Sequence, residues 1–342
     1  MAKQILVTGG AGYIGSHTII ELLNNGYDVI SVDNYCNSFD QTYQRIKSIT
    51  GKTIKYYNVD LCNVNDLKKI FIEYPGIKGI IHFAALKSVP ASVANPLFYY
   101  RNNLNSLVNI LDCCKEFNVK NFIFSSSCSV YGNVKQLPVN ENTPTSVPES
   151  PYAYTKLVGE RIIQDFSKIN PGIKNVALRY FNPVGAHESG LNGELPNNPP
   201  ENLVPVITQT AIGKRKEMSV FGNDYPTRDG SCIRDYIHVS DIADAHVKAL
   251  NYIIENNNSP DYSLFNLGSG NGVTVLEAIK AFEKVSQKKL NYKIVPRRPG
   301  DVEAIYSDSS KANQILKWYP KHNIESMMDT AWKWELNLAK EI

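Results

Sequence analysis

The chain has no run of about 18 apolar residues, so no segment reads as a membrane-spanning helix. Its six cysteines, Cys36, Cys62, Cys113, Cys114, Cys128 and Cys232, form no CxxC pair and no zinc-type spacing. Cys113 and Cys114 are adjacent, which suits packing better than a bridge, and free thiols at this density fit a reducing compartment. Charge of one sign is scarce. A net charge of +3 is too small to suggest a nucleic-acid partner, and Lys214-Arg215-Lys216 reads as a solvated face. A basic–apolar–small leader pattern is missing from Met1 to Thr8, which reads as a strand. These absences give the expectation of a soluble, cytoplasmic protein without membrane or nucleic-acid partners. Repeats, low-complexity stretches, a Ser–His–Asp order, paired metal histidines and a Walker loop are also missing. His17, His82, His187, His238 and His246 are scattered and read as structural, and no metal site is expected.

What is there is ordinary globular material. Apolar residues make up 43% and charged ones 20%, and 342 residues is about twice the ~150-residue prior for one domain. Short β-branched runs alternate with amphipathic stretches: strands over 4–8, 27–33, 55–60, 79–83 and 121–125, helices over 17–25, 103–117 and 151–169. That alternation predicts an α/β fold, a Rossmann-like doubly wound parallel sheet with a smaller C-terminal α/β domain. The prolines between 138 and 151 and between 196 and 205 mark two long loops. The domain change is expected near Tyr180: residues 1–180 for a dinucleotide, 181–342 for substrate, with some of 234–250 packing back onto the first.

Gly9, Gly12 and Gly15 lie between the first strand and the first helix. One glycine allows the tight turn, one lets backbone approach a pyrophosphate, and one lets helix and strand pack closely. The helix N-terminus then offers free N–H groups to phosphate. An ordinary strand–helix turn is the plain alternative, but Asp33 ends the second strand 18 residues after Gly15. A carboxylate there accepts from a ribose 2′-OH and repels a 2′-phosphate, which favours NAD. Asp60 reads equally as an adenine contact or as a turn residue.

Tyr152 and Lys156 share a helix face at i, i+4. A phenol ionises near 10, so a nearby ammonium and a positive nicotinamide ring would have to favour its phenolate before it could act as a base near neutrality. Tyr-x-x-x-Lys by itself is often a surface pair. Ser125-Ser126-Ser127 at the end of a parallel strand, where open sheets bind ligands, adds a hydroxyl that can relay the proton.

Seven blocks carry a resemblance: Thr8–His17, Asp33-Asn34, His82–Lys87, Ser125–Gly132, Pro151–Lys156, Arg179–His187 and Arg234–Val239. Over residues 2 to about 335 the chain resembles the UDP-glucose 4-epimerase family of extended short-chain dehydrogenases/reductases. The resemblance implies NAD that stays bound through turnover, and a UDP-hexose epimerised at C4 through a 4-keto sugar. It implies catalytic Ser127, Tyr152 and Lys156. Around the cofactor it implies Gly9, Gly12, Tyr13, Ile14, Gly15, Asp33, Asn34, Asn37, Asp60, Phe83, Ala84, Lys87, Asn102, Tyr152, Lys156 and Tyr180. For the UDP-sugar it implies Ser127, Asn182, Asn202, Leu203, Phe221, Arg234, Arg298, Asp301 and Ile305. Ile305 stands where the family's residue faces the sugar 2-substituent; intermediate in size, it implies some tolerance of UDP-GlcNAc and UDP-GalNAc. A homodimer through the helices near 103–117 and 151–169 is also implied. The rival readings are a nucleotide-sugar 4,6-dehydratase or decarboxylase on the same scaffold, and a non-catalytic NAD-binding protein. Dehydratases carry an Asp-Glu pair where this chain has Cys128-Ser129.

Overall fold

The computed structural model describes residues 3–197, 199–256, 258–298 and 301–340. The first strand, β1 (Gln4–Thr8), sets the architecture. Its Ile5 and Val7 enter one apolar layer and Leu6 the opposite one, so both faces are covered, as parallel sheets require. α1 (Tyr13–Asn24), β2 (Asp28–Asp33), α2 (Thr42–Thr50), β3 (Lys55–Asn58), α3 (Val64–Glu73) and β4 (Ile77–His82) follow in strict alternation. Next come α4 (Val89–Ala94), α5 (Pro96–Glu116), β5 (Asn121–Ser127), a 3₁₀ turn at Cys128–Tyr131, α6 (Pro151–Ile169) and β6 (Lys174–Tyr180).

The remaining elements are β7 (Asn182–Val184), α7 (Leu203–Ala211), β8 (Met218–Phe221), β9 (Ile233–His238), α8 (Val239–Glu255), β10 (Tyr262–Leu267) and β11 (Gly272–Thr274). They end with α9 (Val275–Ser286), β12 (Tyr292–Val295), β13 (Ala304–Ile305), α10 (Ser310–Ile315) and α11 (Ile324–Leu338). The main sheet runs β10-β6-β5-β4-β1-β2-β3, parallel throughout. Strand order reverses between β1 and β4, which opens a crevice at the carboxyl ends of those strands. α8 packs beside α1 and β10 pairs with β6 along all of Tyr262–Leu267, so the stretch 239–267 joins the first layer system. This return segment overlaps the 234–250 read from sequence and runs on through β10 to Leu267. β9 itself stays in a small mixed sheet, between β11 and β13, with β7 pairing its Tyr236–His238 end. α7, α9 and α11 cover that part with Val204, Ile207, Ala278, Phe282, Met327 and Met328.

Several boundaries move for local reasons. α1 begins at Tyr13 rather than His17 because the glycine turn itself forms its first turn. α5 begins at Pro96 rather than Asn103, since a proline at N1 loses no helical hydrogen bond and starts with φ in place. β5 continues to Ser127 because the serine backbones pair with Leu178, Arg179 and Tyr180 whatever their side chains.

Candidate active site

The glycine turn does what its spacing suggests. Gly9 has φ +68, and a Cβ there would lie 2.8 Å from the Ala84 backbone nitrogen. A Cβ on Gly15 would be driven into the Gly9 carbonyl oxygen and to 3.0 Å from Gly10 Cα. Gly12 caps α1 without a side chain and the first turn carries no acid, so the positive helix end faces the crevice uncompensated. Asp33 lies beside it, 8% exposed: Oδ2 accepts from the Ala11 N–H at 3.0 Å, and Oδ1 from the Tyr35 N–H and Ser38 hydroxyl. Three of about four lone-pair directions are used, which leaves one for a ribose hydroxyl. Ile14 lies behind Asp33's strand in the α1 layer, and Asn34 and Asn37 follow at its rim, Asn37 exposed. Asp60 is exposed and accepts from the Cys62 N–H, the turn role weighed for it.

On the other side of the switch point, Phe83 and Ala84 hang from Thr8: the Phe83 N–H donates to its carbonyl and the Ala84 N–H to its hydroxyl. Phe83 packs on the His246 ring, whose Nε2 meets the Tyr180 hydroxyl at 2.5 Å. His246 Nδ1 lies 2.8 Å from the Ile242 carbonyl, so Nδ1 donates there and Nε2 accepts from Tyr180. The loop after β4 is tied down by Asn103, which accepts from the Leu86 N–H and donates to the Leu86 carbonyl. Asn102 donates to Asn103 and stays partly exposed. Lys87 pairs with Glu194 at 3.0 Å.

The three strand-end serines have separate jobs. Ser125 offers its carbonyl to Lys156 Nζ at 2.6 Å, and Ser126 donates to the buried Glu160 carboxylate. Ser127 accepts from the Ser129 N–H and hydroxyl, and its side chain lies close enough to the Tyr152 phenol to lower its pKa. Ser150 caps α6 by accepting from the Ala153 N–H, with Pro151 at N1, which fixes the helix register one residue before Tyr152. Lys156 Nζ lies 5.9 Å from the Tyr152 ring centre. Burial lowers Lys156 to about 8, with Glu160 opposing. Burial also pushes the Tyr152 phenol up to about 12, against a smaller lowering from Ser127. Desolvation dominates here, and the lowering expected of an ammonium together with a positive nicotinamide ring needs both charges beside the phenol.

Two buried hubs went unnoticed in the sequence. Arg179 grips Glu160 through Nε at 2.8 Å and Nη2 at 2.6 Å, both side chains 5% exposed or less. Asp235, fully buried, accepts from Ser269 and Ser307, each through N–H and hydroxyl, and from the Gly270 N–H. The signal for the first was the i+4 position of Glu160 from Lys156; the second joins distant loops and has no local signal.

Across the crevice, Asp301 accepts from Arg298 at 2.9 Å and Arg234 at 3.3 Å, and Arg298 lies over the Phe221 ring. Phe221 is 40% exposed. Asn202 precedes α7 and donates to Glu194, and Leu203 opens that helix, whose first turn has no acid. Asn182 starts β7 beside Tyr236. Ile305 is 5% exposed, packed with Val130, Tyr131, Val139 and Phe181 just beyond the Ser127 turn.

Two phosphate-ready helix ends, an acid closing β2 and a Ser–Tyr–Lys set at the switch point define an extended short-chain dehydrogenase/reductase built for a nucleotide-linked substrate. The model of the GDP-mannose 4,6 dehydratase family matches residues 6–331. The UDP-glucose 4-epimerase of Pasteurella multocida is 47% identical over 97% of each chain. The solved UDP-glucose 4-epimerase of Bifidobacterium longum, in complex with NAD+ and UDP, is 47% identical with a TM-score of 0.94, covering 99% of this chain and 100% of that one. That of Stenotrophomonas maltophila, with NAD and formylated UDP-arabinopyranose, is 41% identical with a TM-score of 0.96, covering 99% and 100%. The chain belongs to the UDP-glucose 4-epimerase family.

Proposed function

We propose that this protein is an isomerase of galactose metabolism, interconverting UDP-glucose and UDP-galactose with bound NAD through a transient UDP-4-ketohexose. The observation that carries it is Ser127 beside the Tyr152 phenol at the end of β5, with Lys156 Nζ 5.9 Å from the Tyr152 ring centre on the same helix face. When bound, NAD supplies reversible hydride acceptance at C4. Tyr152 takes the 4-hydroxyl proton, Ser127 relays it, and the same proton returns when the keto sugar is reduced on its other face. Lys156 spends one N–H on Ser125 and keeps two for ribose hydroxyls. Arg234, Arg298 and the α7 N-terminus at Leu203 suit a diphosphate, Asp301 a ribose, and exposed Phe221 a stacked base. Asn182 and Asn202 offer amides to the same ligand. Holding UDP firmly while leaving the hexose free to turn is what a site serving both configurations needs.

A 4,6-dehydratase would need an acid beside Ser127. The turn supplies Cys128 instead, whose thiol burial pushes up to about 12, and Ser129. The decisive experiment incubates purified protein with UDP-galactose and no added nucleotide, and follows products by NMR. UDP-glucose is expected; its absence even with added NAD overturns the reading.

Ile305, buried and intermediate in size, supports some tolerance of N-acetylated UDP-sugars, and Ile305→Tyr should suppress turnover of UDP-GalNAc while sparing UDP-galactose. Equal suppression of both would refute it. Two functional units follow from the same reading, 1–180 with the return segment for NAD and the rest of 181–342 for the sugar nucleotide. α5 and α6 present Leu97, Val108 and Tyr154 to solvent, and Tyr100 meets Tyr154 edge-on, exposed apolar side chains suited to a homodimer. No helix among the described residues is long and apolar enough to cross a membrane, and free thiols, two of them exposed, suit a cytoplasmic setting.

A further inference from the structure

One carboxylate oxygen is shared by two residues assigned above to different ligands. Lys87 Nζ donates to Glu194 Oε1 at 3.0 Å, and Asn202 Nδ2 donates to the same oxygen at 2.9 Å. Lys87 comes from the loop after β4, on the dinucleotide side, and Asn202 from the residue that precedes α7, on the UDP side. Glu194 is the fixed member. Its side chain is 11% exposed against 58% for Lys87, and its backbone carbonyl accepts from Trp334 Nε1 at 3.0 Å, which anchors it to α11. A second link joins the same two loops, from the Ser88 hydroxyl to Glu201 Oε2 at 3.1 Å. Glu194 also reaches the cofactor helix: burial first, and its charge second, push the Tyr13 phenol well up, and the Tyr13 hydroxyl donates to the Gly185 carbonyl at the base of the loop that carries Glu194.

A carboxylate between two sites meant for anionic diphosphates repels both ligands. What it offers in return is a common acceptor that holds one cation and one amide in register. We propose that Glu194 is a positioning residue that sets Lys87 and Asn202 together, so that filling the dinucleotide site orders the UDP site and filling the UDP site orders the dinucleotide site. The proposal rests on the reading that Lys87 faces NAD and Asn202 faces UDP. Because the coupling is a free energy between sites, it acts equally in both directions. It needs no chemical step, so it is visible without turnover.

The test uses the NAD-loaded protein and UDP as probe. NAD loss after dilution is followed by an enzymatic assay of released nucleotide, with and without saturating UDP, and UDP affinity is measured by calorimetry on loaded and stripped protein. UDP is expected to slow NAD loss, and NAD to tighten UDP about five-fold or more. In Glu194→Ala that ratio should fall close to one. Glu194→Gln keeps an acceptor oxygen and should keep most of the ratio. Glu194→Met, of similar length with no acceptor, serves as the readout where the alanine variant does not fold. A Glu194→Ala protein that loses NAD faster but by the same factor with and without UDP would show a merely structural role and overturn the proposal. So would wild-type protein that binds both ligands without coupling. Wild-type protein that binds neither overturns the functional reading instead.

Discussion

Replacing Tyr152 by phenylalanine removes one hydroxyl from the crevice, and the structure sets the scale of the loss. Burial holds the phenol at about 12 even with Ser127 lowering it. Ionising it near neutrality therefore costs about 7 kcal/mol, at about 1.4 kcal/mol per pH unit. Lys156 alone does not offset that cost, since its ammonium is committed to the Ser125 carbonyl at 2.6 Å and is itself lowered to about 8 by burial. The offset must come from positive charge brought next to the phenol, which is what an oxidised nicotinamide ring would add. Tyr152→Phe is thus expected to lower kcat for UDP-galactose by about 10²–10⁴, the usual span for a positioned acid–base group, with a far smaller effect on NAD retention. The assay pairs product NMR with an ultraviolet titration of phenolate, taken as wild type minus Tyr152→Phe. In NAD-stripped protein the difference signal should titrate near 12, and in loaded protein at a clearly lower pH. Turnover of the variant within about tenfold of wild type, well short of that acid–base span, or the same midpoint with and without NAD, would refute the reasoning.

Other expectations follow from the same geometry. Gly15→Ala should abolish NAD retention while leaving most of the fold, because the new methyl meets only backbone, Gly9 O and Gly10 Cα; a variant that purifies with full NAD would contradict the tight turn. Glu160→Gln leaves Arg179 charged and buried without its bidentate partner, and should lower the urea-unfolding free energy by about 3–5 kcal/mol; a loss below about 1 kcal/mol would match an exposed pair instead. Burial lowers His17 and His246 to about 4, His82 to about 3 and His238 to about 2, from 6.5 in the unfolded chain. The unfolded state then binds more protons below 6.5, so stability is complete above that pH and falls by up to about 1.4 kcal/mol per group per unit as pH drops towards 4. A melting temperature that stays flat from pH 7 to 5 would oppose this. Val108→Asp on the exposed face of α5 should yield monomers in sedimentation; unchanged mass would place any dimer elsewhere.

Much of the site was legible because local rules govern it. The glycines, Asp33, and the pairing of Tyr152 with Lys156 each depend on one turn, one strand end or one helix face, and periodicity places all three. The strand-end serines were visible as a run, and the family resemblance rather than spacing singled out Ser127. Only the pairing of β5 with β6 and the packing of α6 turn Ser126 toward Glu160 and Ser127 toward Tyr152. Asn103 was hidden behind Asn102 for the same reason: adjacent helical residues differ by about 100° in direction, and the tertiary contact with Leu86 selects one. Starts of α1 and α5 were missed because glycine, proline and asparagine obscure the apolar period where a helix begins.

The sequence by itself determined the alternation of strands and helices, the nucleotide turn and the Tyr–Lys pair, because hydrophobic period, glycine φ and i, i+4 spacing act over a few residues. Tertiary structure alone decided that the return to the first sheet runs on through β10 to Leu267, that Glu160 binds Arg179, that Asp235 gathers Ser269 and Ser307, and that Glu194 spans Lys87 and Asn202. Those groups lie far apart in the chain. Burial requires Glu160, Arg179 and Asp235 to find partners, but nothing in the local sequence says which partner will be there.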